Sequence, residues 1–338
     1  MSKPKNNNKK RHILRPIVGF VISGLLVAVS VFLLTHRQYV VDVVSVVTYS
    51  PSSKITTITD DVKFTTKGKF IFYASRPVVE SQDEFNGSCP RQESSSPILG
   101  CYTTEGRIYV YDVTNEKLDG IQQVTAAHEM LHAVWARTNS SDKAKLETEL
   151  KAAYSKVSDT SLKERMDYYQ RTEPGEFTNE LHSILGTEVA DLGPSLEVYY
   201  DQYFDRSAVL AQHDKYSSVY TELYAQATEL SQKMTELASS IQTRQAAYEE
   251  KLQTYSADVS SFNTRARSGQ FTSESQFYAE RSALTARLNA LDAEREAINS
   301  NIETYNSYST EYESIANQIE GLNESIDSFN QLDAPSSV

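Results

Sequence analysis

Residues 126–135 hold the part of the chain whose side chains are best suited to chemistry. His128 and His132 flank Glu129 in the pattern His-Glu-x-x-His. On an α-helix, residues four apart lie about one turn above each other, so both imidazoles can reach one metal ion. Glu129 then lies where a carboxylate could hold water on that ion. The pattern predicts a zinc hydrolase site, and its alternative is a pair of ordinary core histidines.

The residues around the motif predict the helix that it needs. Apolar side chains recur at helical spacing and indicate a helix over 121–137 with a buried stripe, formed by Val124, Ala127, Leu131 and Val134. The two histidines lie beside this stripe. A closed four-ligand zinc site gives Glu129 no role, whereas an open catalytic site does, so we expect catalysis.

The third ligand must come from further along the chain, where Glu180, His182 and Glu188 are the candidates. Glu180 falls near the middle of a predicted helix that ends at Gly186, and a packed helix positions a ligand best. Glu188 follows that helix, on a segment less able to fix a carboxylate. His182 and Glu180 point to different faces, so at most one of them faces the metal. Glu180 is preferred, and the other two stay open.

The segments before the motif predict a small α+β domain over 60–206. A short helix is expected over 55–64, and aromatic and β-branched runs indicate strands over 70–75 and 107–113. The loop over 80–104 carries the chain's two cysteines, Cys89 and Cys101. In an oxidising compartment they predict a local disulfide, and in the cytosol two free thiols.

This combination resembles a known family of enzymes. A His-Glu-x-x-His helix preceded by an edge-type strand looks like the zincin metallopeptidases, and a Glu-bearing helix about fifty residues on is similar to their gluzincin branch. The run Phe177-Thr-Asn-Glu180 resembles the lethal-factor-type peptidases. The run Glu188-Val-Ala-Asp191 resembles the Glu-x-x-x-Asp ending of membrane-bound zincins, one residue short. The resemblance covers about residues 60–206.

The resemblance implies a mechanism and a set of roles. Zn²⁺ would be held by His128, His132 and Glu180, with Glu129 as general base in the hydrolysis of a peptide bond. A Tyr or His usually stabilises the oxyanion in such sites, and four tyrosines are candidates here: Tyr168, Tyr169, Tyr199 and Tyr200. The strand over 107–113 is expected to offer its edge to an extended peptide.

The start of the chain predicts a membrane anchor. Residues 1–15 are basic, and residues 16–34 contain no charge over nineteen positions, about the length that crosses a hydrocarbon core. Basic residues before the span predict a cytoplasmic tail over 1–15, an anchor over 16–36 and an extracytoplasmic remainder. A cleaved signal peptide is the alternative, but the apolar run is long for one and no Ala-x-Ala site follows it. Residues 37–59 are expected to form a stalk.

The last third of the chain has a different pattern. From Tyr216 onward apolar residues recur every four and three positions, shift phase near Gln245, break at 267–270 and resume through Phe329. This predicts an antiparallel coiled-coil hairpin over 207–332 with a disordered tail over 333–338. The fold class is thus mainly α, with an anchor helix, a small zincin-like α+β domain and the hairpin.

Charge and pattern together narrow the function. The formal charge of −12 argues against nucleic acid, because phosphate binding needs clustered Lys and Arg. We expect a membrane-anchored, extracytoplasmic zinc metallopeptidase that acts on a protein or peptide and binds a further partner through the coiled coil. The alternative is a surface scaffold or adhesin that acts through the coiled coil, with a degenerate peptidase-like core.

Overall fold

The computed structural model describes residues 9–89 and 98–328, and only the backbone over 9–20. Residues 1–8 of the predicted tail and all of 333–338 lie outside this range. The protein is mainly helical, as predicted. Its described part divides into two compact units, one formed by residues up to 216 together with 324–328 and the other by 217–323.

The first unit begins with two helices, α1 (Lys9–Thr35) and α2 (Arg37–Thr48). Helix α1 starts at Lys9, inside the segment predicted to be the cytoplasmic tail. Among the residues with described side chains, no single helix is long and apolar enough to span a membrane. Taken together, Val21–Thr35 and Arg37–Thr48 have the length and apolar composition of a span, with a bend of 81° between them.

The predicted stalk over 37–59 is wrong, because this segment is part of the folded unit. Helix α2 buries Asp42 and Ser45, and helix α3 (Ser53–Val62) places Ile55 and Ile58 in the core. Ser52 caps α3 by accepting a hydrogen bond from the Ile55 amide. The short helix predicted over 55–64 is confirmed, but it packs on the core of the first unit and does not form part of a stalk.

The strand predicted over 70–75 is also wrong, since this run lies in helix α4 (Thr66–Ala74). The Thr65 side chain caps α4 by accepting from the Gly68 amide. A Cβ atom at Gly68 would lie only 1.8 Å from the Tyr203 carbonyl oxygen, so glycine is required where the two backbones meet. A six-residue apolar run fits a strand or a buried helix, and packing decides between them here.

A three-stranded sheet lies against these helices, formed by β1 (Val78–Glu80), β2 (Gly100–Tyr102) and β3 (Ile108–Tyr111). Its order is β1-β3-β2, with β1 parallel and β2 antiparallel to β3. The predicted strand over 107–113 therefore contains β3, which is the central strand. Helix α5 (Gln82–Ser88) follows β1, and the predicted Cys89–Cys101 disulfide joins the end of α5 to β2.

Five further helices complete the first unit around a common core: α6 (Ile121–Arg137), α7 (Ser140–Tyr154), α8 (Thr160–Thr172), α9 (Phe177–Glu188) and α10 (Pro194–Tyr200). Helix α6 has the predicted bounds, and its predicted stripe is buried. Gly120 immediately precedes α6, and its φ of 97° and its close approach to the Gln212 backbone both require glycine.

The second unit is a pair of long helices, α11 (Arg206–Arg267) and α12 (Glu274–Ile326), of which α11 begins and α12 ends in the first unit. The predicted break at 267–270 is confirmed. Arg244 pairs with Glu294 and Arg265 with Glu280, so the helices run antiparallel. Leu252 on α11 and Leu288 on α12, which belong to the recurring apolar pattern, are exposed at 39% and 42%. Coiled-coil packing stays a prediction.

Candidate metal centre

Three side chains from two helices meet at one point. His128 and His132 project from α6, and Glu180 projects from the first turn of α9. Their ligand atoms all lie within 4.8 Å of one another. Helix α9 packs closely on α6 at Gly186, which has no side chain. A Cβ atom there would lie only 2.6 Å from the Leu131 side chain. Gly186 is thus a close-approach residue inside α9 and not the predicted end of that helix.

The donor geometry fits a tetrahedral metal ion. The Nε2 atoms of His128 and His132 are 3.1 Å apart, and the Glu180 carboxylate oxygens lie 3.6 Å from the first and 3.5 Å from the second. In a tetrahedral zinc site with bonds of about 2.0–2.1 Å, ligand atoms lie roughly 3.3–3.4 Å apart. Two imidazoles and one carboxylate also match the donor set of open zinc sites.

The other two candidates for the third ligand have different partners. Glu188 forms an ion pair with Arg165, and its carboxylate lies 3.9 Å from Nε2 of His213. His182 is fully buried on the other side of α9, where its Nε2 shares a 2.9 Å hydrogen bond with the Tyr199 hydroxyl. Of the three, Glu180 alone joins the two histidines.

Hydrogen bonds around His132 fix which of its nitrogens faces the centre. Its Nδ1 lies 2.9 Å from Oδ1 of Asn179, and the Asn179 amide nitrogen donates to Glu176. The amide oxygen therefore faces the ring and accepts from Nδ1–H, which leaves the Nε2 lone pair free for a metal. Histidine ligands commonly hold their ring in this way. The sequence names Asn179 only by its place before Glu180.

Charges at the centre favour a cation. Burial would lower the pKa of His128, but the carboxylates of Glu180, Glu129 and Glu188 together outweigh that effect and raise it. Burial would raise the pKa of Glu180, but the two histidines outweigh that effect and lower it. The carboxylate is thus ionised beside two imidazoles, an arrangement that stabilises positive charge between them.

Glu129 lies beside the three ligands and is itself 6% exposed. Burial raises the pKa of this carboxyl above its ordinary value, and the two histidines, together with a hydrogen bond from the Tyr102 backbone amide, partly oppose the rise. A Cβ atom at Gly100 would lie 2.9 Å from Oε1 of Glu129. Strand β2 therefore passes directly over this carboxylate, and a raised pKa suits a group that must both take and give a proton.

The strand beside the centre is β2 and not the predicted strand over 107–113. The Leu99 carbonyl accepts a hydrogen bond from the Tyr111 amide of β3, and the Thr103 amide donates one to the carbonyl of Arg107, just before β3. By the alternation of an antiparallel ladder, the backbone groups of Gly100 and Tyr102 then face the outer edge. The Cys89–Cys101 disulfide ties the same strand to α5. The sequence carries no signal that separates the edge strand from the central one.

One of the four candidate tyrosines, Tyr169, has a pKa that responds to the carboxylates of the centre. The pKa of Tyr169 is raised by burial and by the negative charges of Glu180 and Glu129. Tyr199 and Tyr200 instead bond to the side chain and the carbonyl of His182. Tyr168 packs against the Tyr169 ring.

Comparison with protein-family models, with curated proteins and with solved structures finds no match to this chain.

Proposed function

We propose that this chain is a membrane-anchored, extracytoplasmic zinc metallopeptidase. The observation that carries the proposal is the meeting of His128, His132 and Glu180 with a buried carboxylate, Glu129, beside them. Three protein ligands leave one tetrahedral position open, which is the arrangement of catalytic rather than structural zinc sites. The side chains of His128 and Glu180 keep 18% and 15% exposure, so the centre can be reached from solvent.

His128, His132 and Glu180 would hold the zinc ion. When bound there, zinc supplies a Lewis acid that lowers the pKa of a coordinated water to about 7 and polarises a substrate carbonyl. Glu129 takes the proton from the attacking water and then delivers it to the amine that leaves. The Tyr169 hydroxyl, which its raised pKa keeps protonated, donates to the oxygen that develops negative charge.

The outer edge of β2 supports a peptide as substrate. The backbone groups of Gly100 point away from β3 and can pair with an extended chain by β-addition. A peptide held antiparallel to β2 would pass over Glu129, because Gly100 lies against that carboxylate. The substrate is therefore an extended peptide segment, and the absence of a side chain at Gly100 leaves room for it.

The proposal is tested by metal content and peptide cleavage of the purified full chain. Wild type should carry about one zinc per chain, the number that one three-ligand site holds. Glu129→Gln should keep the zinc and lose about 10²–10⁴-fold in cleavage of a mixed peptide library, the usual contribution of a general base. Glu147→Gln, an exposed control on α7, should change neither. Zinc-free protein, or full cleavage by Glu129→Gln, refutes the proposal.

We also propose that α11 and α12 pack as an antiparallel coiled coil that binds a partner. Their half-buried residues recur at four and three positions, and the Phe262 and Phe277 rings pack against each other across the two helices, tilted by 34° at 5.2 Å between ring centroids. Such packing predicts that Leu230→Asp, at a buried position, lowers the melting temperature of the second unit. Leu252→Asp, at an exposed position, is the matched control and should leave it unchanged.

A further inference from the structure

Helix α2 exposes apolar side chains and buries polar ones, the reverse of what a helix packed on a water-soluble unit normally shows. Val41, Val44 and Val47, three residues apart, are exposed at 50%, 55% and 79%. Asp42 and Ser45, on the opposite face, are 4% and 8% exposed. A helix on the surface of a protein in water normally buries its apolar face and exposes its polar one. The exposed valine face therefore calls for an apolar neighbour.

The buried face of α2 is held firmly to the first unit. Asp42 receives two charge-assisted hydrogen bonds from Arg137, at 3.0 Å from Nε and 2.7 Å from Nη2. Both side chains are nearly buried, with 6% and 13% exposure. Arg137 lies in the last turn of α6, the helix of the metal centre, and also donates to the Tyr102 hydroxyl. The valine face cannot turn inward without breaking this pair.

The neighbouring helix indicates what covers the valines. Helix α1 runs directly into α2, and its large apolar side chains from Val21 to Leu34 are exposed as well. The two helices are bent by 81°. If α1 crosses a bilayer, a bend near a right angle lays α2 along the surface of that bilayer. The exposed apolar side chains of α1 and those of α2 then follow each other along the chain.

The charges of this part of the chain fit a lipid surface. Residues 37–59, which follow α1 and lie on the same side of it as α2, hold two basic residues, Arg37 and Lys54, and one acid, Asp42. That acid is buried against Arg137, so it presents no charge to an anionic headgroup. Arg37 begins α2, and Tyr39 is 58% exposed. Arg and Tyr side chains favour the boundary between headgroups and acyl chains.

We propose that α2 is an interfacial helix that seats the first unit on the membrane by its valine face, formed by Val41, Val44 and Val47. The proposal rests on the membrane anchor in the proposed function. Helices of this kind insert their apolar face about 5–10 Å into the boundary between headgroups and acyl chains. Because Asp42 fixes α2 to the metal-site helix, the bilayer holds the metal centre at a set height and orientation.

The test uses the full chain in vesicles of equal parts phosphatidylcholine and phosphatidylglycerol. Nitroxide labels are placed on Val44→Cys and Val47→Cys, and on Val198→Cys as the matched control. Val198 is an exposed valine, 67% exposed, on α10 of the same unit. Collisions of each label with oxygen, which concentrates in lipid, and with a water-soluble nickel chelate are measured by power saturation. Mass spectrometry verifies that the Cys89–Cys101 disulfide stays intact in each variant.

Labels at Val44 and Val47 should collide with oxygen readily and with the nickel chelate several-fold less than the label at Val198 does. Nickel collisions equal to those at Val198 overturn the proposal. So do labels shielded from both reagents with dipolar broadening, because a second copy of the chain then covers the face. A label at Leu26→Cys in α1 reports the anchor separately. If that label is in lipid and the α2 labels are in water, only the interfacial helix fails, and if it is in water the anchor fails too.

Discussion

Asn179 provides the sharpest test of the metal centre, because its predicted role comes from one hydrogen bond. Its Oδ1 accepts from Nδ1–H of His132 at 2.9 Å. Zinc on Nε2 keeps the proton on Nδ1, whereas in the metal-free protein the proton can move to Nε2 and face Glu180. Replacing Asn179 with alanine therefore leaves a buried N–H without its acceptor only in the zinc-bound state, which costs about 1–3 kcal/mol. Since about 1.4 kcal/mol is a factor of ten, zinc affinity should fall roughly 5- to 150-fold. Partners of this kind typically contribute about 10–100-fold.

The surroundings of His132 narrow that range. The Ser183 hydroxyl lies 3.4 Å from the same nitrogen and can take over part of the hydrogen bond. Asn179→Ala alone should therefore lower zinc affinity about tenfold, near the lower end of the range. Asn179→Ala combined with Ser183→Ala should lower it nearer to about a hundredfold. Competition with a chromophoric zinc chelator at fixed pH measures both affinities.

The control for Asn179→Ala is another asparagine with a purely structural role. Asn139 caps α7 by accepting from the Asp142 amide. Asn139→Ala should lower the free energy of unfolding by about 1 kcal/mol and leave zinc affinity unchanged. An unchanged affinity in Asn179→Ala, or an equal loss in Asn139→Ala, would refute the reasoning, because the hydrogen bond would then not hold the ligand.

Three further predictions follow from the same unit. Tyr169→Phe should slow peptide cleavage about 10²–10³-fold at constant zinc content, because it removes only the hydroxyl that donates to the oxyanion; exposed Tyr224→Phe is the control, and an unchanged rate in Tyr169→Phe would exclude this role. Reduction of the Cys89–Cys101 disulfide should lower the free energy of unfolding by about 3 kcal/mol, the value for a loop of this length. Melting curves with and without reductant measure it, and identical curves would contradict it. The metal-free protein should lose stability as the pH falls below about 6.5, because burial lowers the pKa of His182 to about 3 and only the unfolded chain takes up its proton. Urea unfolding between neutral pH and about pH 4 should show this slope in wild type and a shallower one in His182→Gln, whereas equal slopes would assign the effect to other groups.

Much of the fold follows from local patterns. The bounds of α6 and its buried stripe follow from helical spacing of apolar residues, and α3 and β3 lie where their patterns predict them. The predictions fail for short apolar runs whose partner is distant in sequence. The aromatic run over 70–75 forms α4 because its neighbours are helices. Residues 37–59 are held on the first unit in part by the ion pair between Asp42 and Arg137, which are 95 residues apart in sequence.

The metal centre divides along the same line. The sequence by itself determines that His128, Glu129 and His132 share a helix, because four residues make about one helical turn. It also limits the third ligand to Glu180, Glu188 or His182. Only the tertiary structure decides among these, because the answer depends on how α9 is rotated against α6 at Gly186. The same holds for Asn179, Tyr169 and the edge strand β2. Each lies near residues that are distant from it in sequence, and packing between elements, which no local spacing encodes, brings them together.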